Sequence, residues 1–262
     1  MKRIFVTLTC ATVLIFGGLI YQYSVQKKEA IELQTYHQVL NEKVELLATE
    51  AQDWSKPIEL DIHDTRLEGD YKVMQEFIVS KLMQKAERRN QYLRDLKAVN
   101  WHRFLSIQRF DADKKNNYIE TQSMLSDVKK IVAQYELDTQ QFDEQLLKDA
   151  HDLKIKSRFK RELTESLQNN QDMSADGNIF EVEKLSLEKA EAIFALLKNN
   201  KWEKRQQLYM FYEDKPLKQF NQLYKELVQL NKQMEQVKQD SLEEVEANLS
   251  EPLPSASETV VN

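Results

Sequence analysis

The hydrophobic pattern of the chain changes once, near residue 24. Ile4 to Tyr23 is an almost unbroken apolar run after Met1-Lys2-Arg3, and everything beyond it is polar sequence threaded by periodic apolar stripes. The run carries no Asp, Glu, Lys, Arg or His and has the ~20 residues a helix needs to cross hydrocarbon. It exceeds the roughly 7–15 apolar residues of a cleaved signal core, and Leu19-Ile20-Tyr21-Gln22-Tyr23-Ser24 offers no small-x-small cleavage pair. Cys10 lacks the Leu-x-small context of a lipid-modified cysteine. The pattern therefore predicts a transmembrane signal anchor over residues 1–23, held in the cytoplasmic membrane.

Beyond the anchor, apolar residues recur every three or four positions, the period of a helix with one buried face. Leu33, Tyr36, Leu40, Val44, Leu47, Ala51 and Trp54 form the first stripe, ended by Pro57. Thr65 with Glu68 reads as a capping box opening a second helix with Leu67, Tyr71, Met74, Ile78, Leu82, Ala86, Leu93 and Leu96 inward, running as far as Phe110. Asp111 to Asn117 reads as a turn. A shorter helix follows with Met124, Leu125, Val128, Ile131, Val132 and Tyr135. Asp138 and Gln141, with Leu137 and Phe142 as staple, predict a fresh helix start leading to Leu146, Leu153, Phe159 and Leu163.

Residues 169–184, rich in Asn, Asp and Ser, read as an internal linker. Leu187 to Leu197 reads as a buried helix and Trp202 to Tyr212 as its continuation. Asp214 and Pro216 fit the start of a last helix bearing Leu217, Phe220, Tyr224, Leu227, Met234 and Val237. The stretch 249–262, with Pro252 and Pro254, reads as a disordered tail. Burying each stripe against others gives the expected fold class: all-α, an N-terminal transmembrane helix followed by an elongated antiparallel helical bundle with coiled-coil character, the domain spanning 24–248.

Composition strengthens this reading. Four Gly and four Pro in 262 residues are too few for the turns a sheet requires, and 31% of residues are charged. The net charge of −6 argues against a nucleic-acid partner. Lys2 and Arg3 before the run nearly balance Lys27 and Lys28 after it. The short basic start and long polar domain are the layout of a signal anchor with the domain outside the cytoplasm, which is the periplasm in a bacterium with two membranes. Thr7, Ala11 and Gly18 lie near one face of the run. They would let two copies pack as a homo-oligomer, although small residues are common in membrane helices.

No catalytic, cofactor-binding or metal-ligating set emerges. Asp111-Ala112-Asp113-Lys114-Lys115-Asn116 begins like a calcium loop but has Lys115 at a ligand position, Asn116 where glycine belongs and Gln122 in place of the bidentate Glu. It reads as a polar connector. Asp61-Ile62-His63-Asp64 has no second histidine at ligand spacing and reads as a solvated capping loop. His37, His102 and His151 lie on different elements, and no Gly-flanked Ser or soluble Cys completes a nucleophile–base pair.

Charge is more informative. Lys81, Lys85, Arg88 and Arg89 lead a basic strip that continues to Arg103 and Arg109, opposed between 81 and 110 only by Glu87 and Asp95. A second cluster holds Lys154, Lys156, Arg158, Lys160 and Arg161. Lys81, Lys85, Arg88, Arg89, Arg103, Lys154, Arg158 and Arg161 are the candidate interaction surface, for lipid headgroups or an acidic protein. The bland alternative pairs the strip with the chain's own acidic C-terminal helix, Glu235 to Glu251. The function expected from this pattern is a membrane-anchored scaffold, adaptor or assembly factor of the cell envelope, not an enzyme. A tethered folding helper for a secreted protein, and a bundle with a ligand pocket, are the alternatives.

Overall fold

The computed structural model describes residues 27–171 and 175–250, with side chains from 31 to 168, from 178 to 237 and at 239. Among them, no helix is long and apolar enough to cross a membrane. The anchor expected at Ile4 to Tyr23 lies outside the described residues, as does the tail from Glu251 onward.

The described chain is mainly helical: α1 (Lys27–Ala51), α2 (Gly69–Ala98), α3 (Ile107–Lys114), α4 (Ile119–Asp152), α5 (Ser157–Gln171), α6 (Ala175–Asn199) and α7 (Asp214–Ser250). A two-stranded sheet, β1 (Trp202–Arg205) with β2 (Leu208–Phe211), lies between α6 and α7. Two compact units divide the chain. The first holds Met1–Asn90, Thr139–Ala175 and Lys238–Asn262, and the second Gln91–Asp138 and Asp176–Val237.

In the first unit α1 and α2 run parallel. Tyr36 stacks near Tyr71 at 5.4 Å between ring centroids, and Asn90 Nδ2 reaches Ala51 O at 3.5 Å. The antiparallel expectation fails for this pair because no tight turn joins the helices. An extended strap over 52–68 carries the chain back along both of them. Ile58 N donates to Glu87 at 3.0 Å, and Gln75 Nε2 to Ile62 O at 3.1 Å. Lys43 Nζ donates to Asp61 O at 2.6 Å and to His63 O at 2.9 Å.

The helix starts differ too. Arg66 N bonds Asp64 Oδ1 at 2.9 Å in a local turn, and α2 opens only at Gly69, whose φ of 56° lies in the left-handed region that favours glycine. Thr65 and Glu68 therefore precede the helix and form no capping box within it, although Leu67 is buried as expected. The core of this unit includes Tyr36, Val39, Leu40, Val44, Leu47, Met74, Ile78, Val79, Leu82 and Phe159. The second half of α4 runs antiparallel to α2, with Asp149 beside Lys81 and Phe142 beside Arg88.

In the second unit α4 and α6 are antiparallel, tied by Lys184–Glu136 at 2.8 Å, Lys129–Glu191 at 2.6 Å and Lys198–Gln122 at 3.0 Å. Between them lies an aromatic core: Phe104, Phe110, Tyr118, Phe194 and Trp202 with Val128, Ile193 and Leu197. Five expectations are corrected here. The helix drawn to Phe110 stops at Ala98, because Asn100 turns the chain with φ 57° into a 3-10 turn at Trp101–Arg103. The turn drawn at 111–117 narrows to 115–118, with Asn117 and Tyr118 at positive φ, while Asp111 to Lys114 stay helical.

The helix start drawn at Asp138 does not exist. α4 continues through it, Asp138 accepting from Gln134 Nε2 at 2.8 Å one turn earlier, and Leu137 is exposed. The linker drawn over 169–184 is helical from Ala175, with Ile179, Phe180 and Val182 buried. The continuation drawn over Trp202 to Tyr212 is a β-hairpin, paired Trp202 with Phe211, Glu203 with Met210, Lys204 with Tyr209 and Arg205 with Leu208. The fold is thus predominantly, but not wholly, helical. Asp214 does begin α7.

Candidate interaction surface

The basic strip of α2 is built inward more than outward. Lys81 Nζ meets Asp149 Oδ2 at 2.5 Å and sits 5.7 Å and 6.0 Å from the ring centroids of Phe77 and Phe142. That ammonium, with a further hydrogen bond from Gln145, holds the Asp149 carboxyl below its ordinary range. The Arg88 guanidinium lies 4.0 Å from the Phe142 ring centroid, a cation–π contact. Arg89 is buried, and Lys85 is half-buried. Lys81 thus finds its acid on α4. Of the C-terminal acids expected opposite it, Asp240, Glu243, Glu244, Glu246 and Glu251 lie outside the described side chains.

Arg103 belongs to the second unit and is exposed on the 3-10 turn, whereas Lys81 belongs to the first. Lys154, Arg158 and Arg161 stay in the first unit, at the turn into α5 and along its first turns. Lys154 and Arg161 are exposed, while Arg158 is half-buried with its guanidinium 4.5 Å from the Phe159 ring centroid. Lys156 pairs with Asp70 at 3.8 Å, and Phe159 packs on Tyr71 at 5.3 Å, fixing the cluster to the N-terminal end of α2.

The acidic turn that resembles a calcium loop has a structural use that spacing alone does not reveal. Asp113, buried, accepts from the backbone N–H of Glu120 at 3.2 Å and of Thr121 at 2.8 Å, and from the Thr121 hydroxyl at 2.7 Å. It caps α4. Arg109 Nη1 donates to the same hydroxyl at 2.9 Å and Nη2 to Phe104 O at 2.6 Å. Lys114 Nζ donates to Trp202 O at 2.5 Å, and Trp202 Nε1 donates to Leu197 O at 3.0 Å. Every polar group in this knot is spent on another part of the fold. The second acidic loop is likewise engaged internally: Arg66 bridges Glu42 and Asp64, and His63 Nδ1 meets Glu76 at 2.7 Å.

The surface that sequence periodicity missed is the outer face of the hairpin. Tyr209 and Phe211 turn toward Phe220 and the core, so the alternation of a strand puts Leu208, Met210 and Tyr212 on the opposite face. These three are 63%, 38% and 68% exposed. Glu203 accepts from the Tyr212 hydroxyl at 3.0 Å and from Arg205 Nε at 2.9 Å, a polar edge beside the apolar side chains. On α7, Tyr224 and Val228 are also exposed. The clue in the sequence is the alternation Leu208-Tyr209-Met210-Phe211-Tyr212 after Gln206-Gln207, which an all-helical reading absorbs as a stripe.

Among the described residues, no group of three or more His, Cys, Asp and Glu side chains is placed to hold a metal ion. Comparison of the chain with protein-family models, with curated proteins and with solved structures gives no match.

Proposed function

We propose that the protein is a single-pass, membrane-anchored helical interaction protein of the cell envelope, a scaffold, adaptor or assembly factor whose domain lies outside the cytoplasm. The observation that carries this reading is the charge-free apolar run Ile4 to Tyr23, followed by more than two hundred polar-rich residues. Long helices with half-exposed faces, α7 above all, supply binding surface. The polar clusters are committed to holding elements together.

The exposed Leu208, Met210 and Tyr212 favour one alternative, a tethered folding helper. Apolar side chains left in water by one protein are suited to cover those of an unfolded client. Crosslinking in the native membrane, followed by identification of the attached protein, tests both readings. A stable set of envelope proteins supports the scaffold. One secreted client, captured mainly while newly made, supports the folding helper. Recovery of the protein as a soluble, shortened chain would remove the anchor from both.

A further inference from the structure

From Lys154 to Arg161 the chain reads Lys-Ile-Lys-Ser-Arg-Phe-Lys-Arg, five bases in eight residues with no acid among them. Part of this charge faces water, with Lys154 and Arg161 exposed. Lys156 has Asp70 at 3.8 Å, and Arg158 lies on the Phe159 ring. Arg158 and Arg161 both act electrostatically on Glu162, and Lys154 enters no ion pair among the described residues. A concentration of like charge is costly to keep together unless something negative faces it.

The position of the run in the first unit says what that is. Phe159 packs on Tyr71, which packs on Tyr36, so the start of α5 stands at the level of Tyr36 on α1. α1 begins at Lys27, only nine residues before Tyr36, about 14 Å along a helix at ~1.5 Å per residue. Tyr23, the last residue of the apolar run, is four residues before Lys27, at most about 14 Å of chain even when fully extended. The parallel arrangement of α1 and α2 brings the N-terminal ends of α1 and α2 and the start of α5 to one end of the unit. That end is the one nearest the apolar run. Ile31, on the exposed side of α1 at the same end, is 61% exposed.

We propose that residues 154–161 dock on anionic phospholipid headgroups of the same bilayer that holds the apolar run, so that the first unit rests on the membrane at this end. The proposal rests on the anchor reading and adds to it. An anchor needs only hydrocarbon, whereas this contact needs negative lipid. Basic residues near an anionic surface each strengthen attachment by roughly fivefold, and the attraction decays over a Debye length of about 8–10 Å. The chain allows up to about 28 Å between this level and the apolar run, lysine and arginine stems reach about 6 Å of it, and docking therefore requires the first unit to lean toward the bilayer at this end.

The test uses the full chain with Cys10→Ser and Ser157→Cys, labelled at 157 with an environment-sensitive fluorophore. It is reconstituted into vesicles of phosphatidylcholine alone or of equal parts phosphatidylcholine and phosphatidylglycerol, each with a headgroup spin-labelled lipid as quencher. Flotation after alkaline carbonate is measured first. The protein should float with both kinds of vesicle, since hydrocarbon alone holds the anchor. Quenching should be stronger in the anionic vesicles and should fall as salt is added. Lys154→Glu with Arg161→Glu, both at exposed positions and with the thermal melt measured alongside, should bring it down toward the neutral-vesicle level. Flotation with equal quenching in both vesicles overturns the docking while leaving the anchor intact, and leaves an acidic protein as what the cluster meets. Failure to float overturns the anchor and the docking together.

Discussion

Replacing Asp113 by Ala should destabilise the second unit by about 3 kcal/mol. Losing an N-cap acceptor costs ~1 kcal/mol, here the acceptor for Glu120 N and Thr121 N at 3.2 Å and 2.8 Å. The hydrogen bond from the buried Thr121 hydroxyl at 2.7 Å goes to a charged oxygen and contributes about 1.5–3 kcal/mol more. Urea unfolding of the full chain in detergent, followed by tryptophan fluorescence, reads the loss where it occurs. Trp202 is in the core of this unit and Trp101 packs against it, whereas Trp54 belongs to the other unit. With a slope of ~1–3 kcal/mol per molar urea, the midpoint seen by this signal should fall by about 1–3 M.

Thr121→Val should cost less, and the double variant should lose less than the two single losses added. Arg109, Thr121 and Asp113 act as one hydrogen-bonded unit, and groups so joined are non-additive by about 0.5–3 kcal/mol. Asp111→Ala, two residues away and half-buried, is the control and should stay within about 0.5 kcal/mol of the parent. An Asp113→Ala loss below about 1 kcal/mol, or one matched by Asp111→Ala, would refute the assignment of Asp113 as the cap.

Three further outcomes are expected. The Arg66 guanidinium beside Asp64 pulls its carboxyl from 3.8 down to about 2, so its contribution to holding the strap is complete above about pH 4 and lost as pH falls toward 2. Hydrogen exchange over 53–68 should quicken across that window, and Asp64→Asn should quicken it at neutral pH and flatten the pH response. Lys81→Glu should lower stability by up to about 1 kcal/mol at low salt, with Asp149→Lys restoring part of it in the double variant. Loss of the rescue would show that the pair at 2.5 Å is incidental. Leu208→Asp with Met210→Asp should leave the melting midpoint nearly unchanged, because both side chains face water, yet reduce crosslinking to a partner; unchanged crosslinking would dismiss the hairpin face as a contact surface.

The legible parts of the fold were those where one period had no rival. Tyr36, Leu40, Val44 and Leu47 on α1, and Tyr71, Met74, Ile78, Leu82 and Ala86 on α2, are buried as their spacing requires. Sequence failed where a local signal had two physical outlets. Asp138 and Gln141 match a capping box, yet a helix already running through them satisfies the same carboxylate with Gln134. Trp202, Tyr209 and Phe211 suit a helical stripe as well as one face of a hairpin, and the left-handed Gln206, φ 54°, decides for the hairpin without a glycine to announce it. The candidate surface was legible as charge but not as exposure. Nothing in the order Lys81, Lys85, Arg88, Arg89 distinguishes an ammonium on Asp149 or a guanidinium on Phe142 from one in water. The apolar hairpin face was invisible for the same reason as the hairpin.

The parallel pairing of α1 with α2 also has a consequence in time. Ala51 of α1 is met by Asn90, 39 residues further along the chain, and Tyr36 packs on Tyr71, 35 residues further along. At a synthesis rate of roughly 5–20 residues per second, α1 is complete about 2–8 s before the last of α2 that covers it has been made. During that interval its apolar stripe lacks the α2 part of its cover. An antiparallel hairpin of helices would cover each turn almost as soon as the chain reversed. Here α1 waits for α2, and a ribosome pausing within 52–90 would lengthen the wait.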